Sequence, residues 1–360
     1  MSVAARLDQR LRRAPGRIVY YGNASHGFHE MLAWLRRRHA GGAPNVLMPA
    51  YIPAKLFRTA LAAGVSPRFY DLDPGCDFDP GELRARADDD TVAIFAVHYF
   101  GLPARLTEVR RFATARGLWL IEDCALTLPT WTDGAELGRI GDCALFSVRK
   151  MLLMPEGGVL ARNRRAEGFR PCFRGRVRSA YTAWHLLRTR AKRLYSALTG
   201  GRDPLRLARC PATGYIDHAE PQQVRVRAMS RLTRAMARAV DLDRVAEARR
   251  RNYRELLAGV REHPELEPLR PDLPEGCTPY SLPIRTPWGR RERLREHLLR
   301  HAGVGCGAGW PESPFDARLP GTVELSARIL ELPVHHLLPA AQRGRILDAL
   351  RTYEGAARWS

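Results

Sequence analysis

The chain has 360 residues, 45% of them apolar and 27% charged, which is enough to bury a large core in an ordinary globular protein. No apolar run is long enough to span a bilayer, and the basic start Met1–Arg17 lacks the apolar stretch of a secretory leader, so the expected location is the cytoplasm. The formal charge of +20 comes from 55 arginines and only three lysines, without zinc-finger spacing, a basic zipper or an RNA-binding aromatic signature, so specific nucleic-acid binding is not expected.

The first 165 residues alternate short β-branched or aromatic runs with helical stretches. Strands are predicted at Arg17–Tyr21, Asn45–Pro49, Pro67–Leu72, Val92–His98, Leu118–Glu122, Ala144–Val148 and Gly158–Ala161. Amphipathic helices are predicted between them at Phe28–Arg38, Ala54–Ala63 and Leu106–Arg116. This alternation predicts an α/β fold with a mostly parallel sheet covered on both faces. Ligands of such sheets bind outside the carboxyl ends of the strands, where Gly22–His26, His98, Asp123 and Ser147–Lys150 fall.

An arginine-rich stretch follows over residues 161–214. Its first forty residues hold eleven basic side chains against one acid, Glu167, and so carry about half of the net charge. A solvated basic face is the plain expectation. Tyr181, Trp184, Leu187, Ala191, Leu194, Tyr195 and Leu198 stand at helical spacing within it. That stripe fits core or dimer packing better than contact with an anionic membrane surface. One long helix is predicted from about Pro221 to Leu257, then a strand at Tyr280–Arg285 and helices near Arg291–His301 and Pro339–Tyr353. The pattern divides the chain into a large domain, residues 1–245, and a smaller C-terminal α+β domain, residues 246–360.

Two segments carry chemistry. Leu118–Asp123 reads LWLIED, an apolar strand that ends in two acids. Phe146–Gly158 reads FSVRKMLLMPEGG, with Lys150 in an apolar setting before a Glu-Gly-Gly turn. Apolar surroundings lower a lysine's pKa and free its amine as a nucleophile. With nearly every cation an arginine, a retained lysine points to a task that guanidinium cannot perform, such as forming an imine. Pyridoxal 5'-phosphate (PLP) chemistry needs such a lysine, an acid on the pyridine nitrogen and donors for the phosphate. Lys150 and Asp123 supply the first two. Ser25, read as the N-cap of the first helix, offers with Ala24 an amide-rich helix start for the phosphate, and Ser147 adds a hydroxyl. The seven scattered cysteines include no Cys-x-x-Cys pair, and no metal site is expected.

The order Val-His-x-x-Gly, Ile-Glu-Asp, Gly-Asp-x-x-x-Phe-Ser, Lys and Glu-Gly-Gly resembles the DegT/DnrJ/StrS-type PLP-dependent aminotransferases. The resemblance runs through VLMPAYIPAKLFRTALAAGVSPRFYDLDP, AIFAVHYFGLPARLTEVRRFATARGLWLIEDCALTL and LGRIGDCALFSVRKMLLMPEGGVLARN, and resumes at ARRRNYRELL and LELPVHHLLPAAQRGRILDAL. It implies the PLP-dependent transferase fold type I, like that of aspartate aminotransferase, and a homodimer with sites at the subunit interface. Carried over by position, Lys150 bears the cofactor, Asp123 holds its ring nitrogen, Ser147, Ala24 and Ser25 hold the phosphate, and Tyr51 stacks on the ring. The chain departs from the family in a Ser–Lys spacing shorter by two residues and in Leu126, where the family has Gln or His. It also lacks a recognisable Asn-Tyr-Arg segment around Thr213–His218.

The implied activity moves an amino group from an amino-acid donor, expected to be glutamate, to a keto-sugar or related carbonyl, which could be nucleotide- or lipid-linked. A PLP-binding regulatory protein and a PLP-dependent sugar dehydratase are the alternatives. In the dehydratases a histidine replaces the lysine, so Lys150 argues against that reading.

Overall fold

In the computed structural model, which describes residues 18–129, 131–132, 135–166, 168–198, 224–310 and 318–353, seven strands form one sheet. They are β1 (Ile18–Tyr21), β2 (Asn45–Pro49), β3 (Ser66–Tyr70), β4 (Thr91–Val97), β5 (Trp119–Cys124), β6 (Cys143–Phe146) and β7 (Gly158–Arg162). The spatial order is β1-β7-β6-β5-β4-β2-β3, and all neighbours are parallel except the two that flank β7. Strands β2, β6 and β7 are buried at every position, and apart from Asn45 at the start of β2 and Arg162 at the end of β7 they read as apolar runs.

Helices α1 (Ala24–Arg36), α2 (Ala54–Ala62), α3 (Pro80–Arg86) and α4 (Leu106–Ala115) connect the strands, and a single turn, α5 (Val148–Met151), follows β6. Phe28, Met31 and Leu32 of α1 are fully buried in the main core with Ile94, Phe95 and Leu120 of the sheet. The first helix begins a turn earlier than predicted, because Asn23 rather than Ser25 is its N-cap and accepts the Ser25 amide at 3.1 Å. Helix α3 has its own signal in Asp79, which caps it, and Pro80 at its first position.

Beyond β7, helix α6 (Ser179–Leu198) precedes α7 (Arg231–Ala239) and α8 (Leu242–Arg261). The single helix predicted from Pro221 to Leu257 is therefore two. Val240 is extended, and the Asp241 carboxylate starts a new helix by accepting the amides of Asp243 and Arg244. The C-terminal part adds β8 (Glu267–Pro268), β9 (Ser281–Arg285), α9 (Arg291–Ala302), α10 (Pro320–Arg328), β10 (Ile329–Pro333) and α11 (Ala340–Arg351). Its antiparallel sheet, β8-β9-β10, has a core of its own that includes Leu282, Ile284, Leu298, Leu330 and Ile346. Helix α8 serves both parts. Leu242 and Val245 join a cluster with Phe146 and Val148, whereas Tyr253, Leu256 and Val260 join the C-terminal core. The division expected at 245/246 thus falls inside a continuous helix.

Two expectations for the basic stretch change. Arg162 is buried and donates to the carbonyls of Ala166 and Phe169, so it belongs to the fold and not to a solvated face. The stripe on α6 does not enter the core of the chain: Tyr181, Trp184 and Leu187 are all exposed. The segment Thr213–His218 lies outside the described residues.

Candidate active site

The site is built on neighbouring strand ends. Strands β5 and β6 pair in register, Asp123 opposite Leu145, so the acid and the turn that carries Lys150 leave the sheet side by side. Strand β4 ends on the other flank, where the His98 amide donates to the Asp123 carbonyl at 3.1 Å. Ser147 caps α5 by accepting the Lys150 amide at 3.3 Å. The Glu-Gly-Gly turn then ties two parts of the site together. Gly157 donates to the Gly22 carbonyl at 2.8 Å and accepts the Arg149 amide at 3.2 Å. The start of α1, with Ala24 and Ser25, and the lysine turn therefore lean on one element. A Cβ at Gly158 would run into the backbone of Asn23 and Ala24, so only glycine allows this approach.

Asp123 is 8% exposed, and one oxygen accepts the Ala125 amide at 2.8 Å. Its other oxygen has no hydrogen-bond donor among the described residues. Burial raises its pKa, and the charge of Lys150 opposes that rise. Lys150 is half-buried, and no hydrogen bond of its amine falls among the described residues. Burial lowers its pKa, and Asp123, followed more weakly by Glu331, pulls the other way. The arrangement is a lysine poised to lose its proton beside a carboxylate with one oxygen to spare.

Behind this pair lies a buried strut. The Glu122 carboxylate accepts the amides of Gly138 at 3.0 Å and Gly141 at 2.5 Å, and meets Nε2 of His98 at 3.1 Å. Nδ1 of His98 accepts the Ala104 amide at 3.1 Å, so the ring proton is on Nε2, which donates to Glu122. His98, Glu122 and Cys124 have ligand atoms within 4.8 Å of one another. Glu122 and His98 are spent on each other and on backbone amides, so this cluster anchors the strand end that presents Asp123. His98 is structural.

Tyr51 is fully buried, stacked on Tyr99 at 5.6 Å and edge-on to Trp310 at 4.9 Å. Tyr99 donates to the Tyr51 carbonyl at 2.6 Å. The ring is thus enclosed in an aromatic cluster with none of its surface exposed, which does not fit the expected stacking of Tyr51 on a cofactor ring. Leu126 is buried and offers no polar group.

Two residues of the site escaped the sequence reading. Glu331, on β10, is buried, accepts from Ser281 Oγ at 2.6 Å and has its pKa raised by burial, against the pull of Ser281 and Lys150. Its only signal is an acid inside the apolar run ILELP. Arg249, on α8, is fully buried and donates to the carbonyls of Met151, Pro279 and Tyr280 at 2.9, 3.2 and 3.1 Å. It fastens the end of the lysine turn to the C-terminal part, and nothing marks it out in a run of three arginines.

The chain is similar to known proteins. A profile described as the DegT/DnrJ/EryC1/StrS aminotransferase family matches residues 18–168. The L-glutamine:2-deoxy-scyllo-inosose aminotransferase of Streptomyces kanamyceticus is 31% identical over 146 residues, which are 39% of this chain and 34% of that protein. The match thus spans about a third of that relative's length. The aminotransferase TlmJ of Streptoalloteichus hindustanus superposes with a TM-score of 0.67 at 22% identity, over 93% of this chain and 84% of TlmJ. NtdA of Bacillus subtilis, solved with bound cofactor PMP, has a TM-score of 0.68 at 17% identity, over 96% and 74% of the two chains. These likenesses show the fold, a mostly parallel seven-stranded sheet with a smaller C-terminal part, over 93% and 96% of this chain. Over residues 18–168, less than half of its length, the chain is thus similar in sequence and in the order of its motifs to the DegT/DnrJ/EryC1/StrS aminotransferase family.

Proposed function

We propose that the protein is a PLP-dependent aminotransferase that moves an amino group from an amino-acid donor to a keto-sugar or related carbonyl. One observation carries this reading: a half-buried lysine and a buried aspartate, each with a reactive atom unclaimed among the described residues, stand together at the carboxyl edge of a parallel sheet. That donor set fits PLP, whose aldehyde needs an unprotonated amine and whose ring nitrogen needs an acid. When bound, the cofactor supplies the electron-withdrawing ring and the carbonyl carbon for the exchange.

The residues divide the remaining work. Nζ of Lys150, its pKa lowered by burial, would hold the cofactor at its carbonyl carbon and would carry a proton to and from the reacting carbon. Asp123 would hold the proton on the ring nitrogen. The amides at the start of α1, with Ala24 and Ser25, and the Ser147 hydroxyl would hold the phosphate. Glutamate is proposed as the donor, and two copies of the chain as the working unit, with the two-domain division near residue 245.

The test is reduction with borohydride after loading with PLP, followed by peptide mapping. A pyridoxyl label on Lys150, together with a change in the visible spectrum on adding glutamate, is expected. A label on Lys55 or Lys192, or none, would overturn the assignment. A label on Lys150 with no donor half-reaction for any amino acid would favour a PLP-binding regulatory protein instead.

A further inference from the structure

Helix α6 has its polarity inside out. Thr182 is fully buried and bonds Ser230 Oγ at 3.1 Å, so the side turned to the protein is polar at that contact. The outward side carries Tyr181, Trp184 and Leu187, which are 46%, 54% and 64% exposed, and Phe173 just before the helix is 38% exposed. At 100° per residue these three helix positions fall within a 120° arc. Basic residues surround it. Arg174, Arg178 and Arg188 are exposed, and the Arg188 guanidinium lies over the Trp184 ring at 5.2 Å. No acid occurs from Gly168 to Gly200.

We propose that α6 lies on the surface of an anionic lipid bilayer, its aromatic face in the interface and its arginines on the headgroups. Among the described residues no helix is long and apolar enough to cross a membrane, so the contact is peripheral. Charge decides between a bilayer and a second copy of the chain. A two-fold contact through this face would set Arg174, Arg178 and Arg188 of one copy against the same residues of the other, with no acid on the segment to offset them. Anionic headgroups complement the same cations. Trp and Tyr with flanking arginines are side chains suited to the boundary between headgroups and acyl chains. The proposal does not depend on the reaction proposed for the site.

The experiment is co-sedimentation of the full-length protein with vesicles of phosphatidylcholine alone, or of phosphatidylcholine and phosphatidylglycerol in equal parts. Binding to the anionic vesicles only is expected, fading as salt is added. A Trp184→Ser, Leu187→Ser variant with parental thermal stability should lose about tenfold or more in vesicle affinity. Should that variant unfold, Arg174→Gln, Arg178→Gln, Arg188→Gln tests the same contact through its charge and should also release the vesicles. Absence of binding to either vesicle, or unchanged binding in the folded variants, would overturn the proposal. So would a drop in molar mass to the monomer with vesicle binding intact, which would assign the face to a second copy.

Discussion

At the scale of single residues, Lys150 sits in the field of two carboxylates with different duties. Asp123 has an oxygen to spare, whereas Glu331 already accepts from Ser281. Asp123→Asn keeps the shape and the bond from Ala125 but cannot hold a proton on a pyridine nitrogen. Turnover should fall by about two orders of magnitude or more while the unfolding midpoint stays near that of the parent. Near-parental turnover would reduce Asp123 to a structural strand end. Glu331→Gln has a different signature. Glu331 raises the pKa of Lys150, so removing its charge lets burial push the lysine lower still. The acid limb of the reaction between the protein and free PLP should therefore move to lower pH, and an unmoved limb would place Glu331 out of electrical reach. Asp123 and Lys150 could be singled out in the sequence because one closes an apolar strand, the other follows one, and lysine is rare in this chain. Glu331 was not, because its approach to Lys150 is made by a fold that joins positions far apart in the chain.

At the scale of elements, the Glu-Gly-Gly turn is the joint of the site. Gly158→Ala would force a methyl group into the backbone of Asn23 and Ala24, a contact that no side-chain rotation relieves. Stability should drop by about 1–3 kcal/mol, and PLP affinity should fall more steeply than for a mere loss of stability, because the displaced turn is the proposed phosphate holder. Urea unfolding with and without PLP separates the two effects, and equal losses in both would leave the turn without a cofactor role. Arg249 joins α8 to the lysine turn through three carbonyls. Arg249→Leu strands those acceptors in the interior and should cost about 2–5 kcal/mol in the same assay, whereas a loss under about 0.5 kcal/mol would show that the carbonyls find other partners. The central strands and helices α2 and α4 were readable to within about two residues, since buried strands and amphipathic helices leave different periodicities, whereas α1 starts a turn before its predicted bound and α3 was not predicted. The break between α7 and α8 was missed because Asp241 lies in a continuous helical pattern, and only its caps to Asp243 and Arg244 reveal the restart. Strand β10 was missed because its run, ILELP, is as short as a loop and carries an acid.

At the scale of the whole molecule, pH acts on folding through buried groups of opposite sign. Burial lowers His26 and His336 from 6.5 to about 4, and for His336 the nearby Arg249 adds to the effect. Below pH 6.5 the unfolded chain takes up protons that the folded chain refuses, so the two imidazoles make stability fall as the pH drops from 6.5 toward 4. Glu30, Asp123 and Glu331 are raised by burial and work the other way. Their contribution is present below the ordinary carboxylate range and is lost as the pH rises through their folded values. The sum of the two sets has no fixed sign, but a difference between two proteins isolates one member. His336 is the better choice, because its Nδ1 is buried without a hydrogen-bond partner among the described residues and its ring follows β10 in the C-terminal part. In His336→Asn the carboxyl contributions and that of His26 remain, and only the refused proton on His336 is removed. Between pH 6.5 and 4 the variant should lose about 1–3 kcal/mol less unfolding free energy than the parent, a range that allows for the ring's partial exposure. Parallel urea titrations at the two pH values measure that difference. Identical losses in both proteins would mean that the ring charges freely in the folded state, and that acid unfolding begins elsewhere in the molecule.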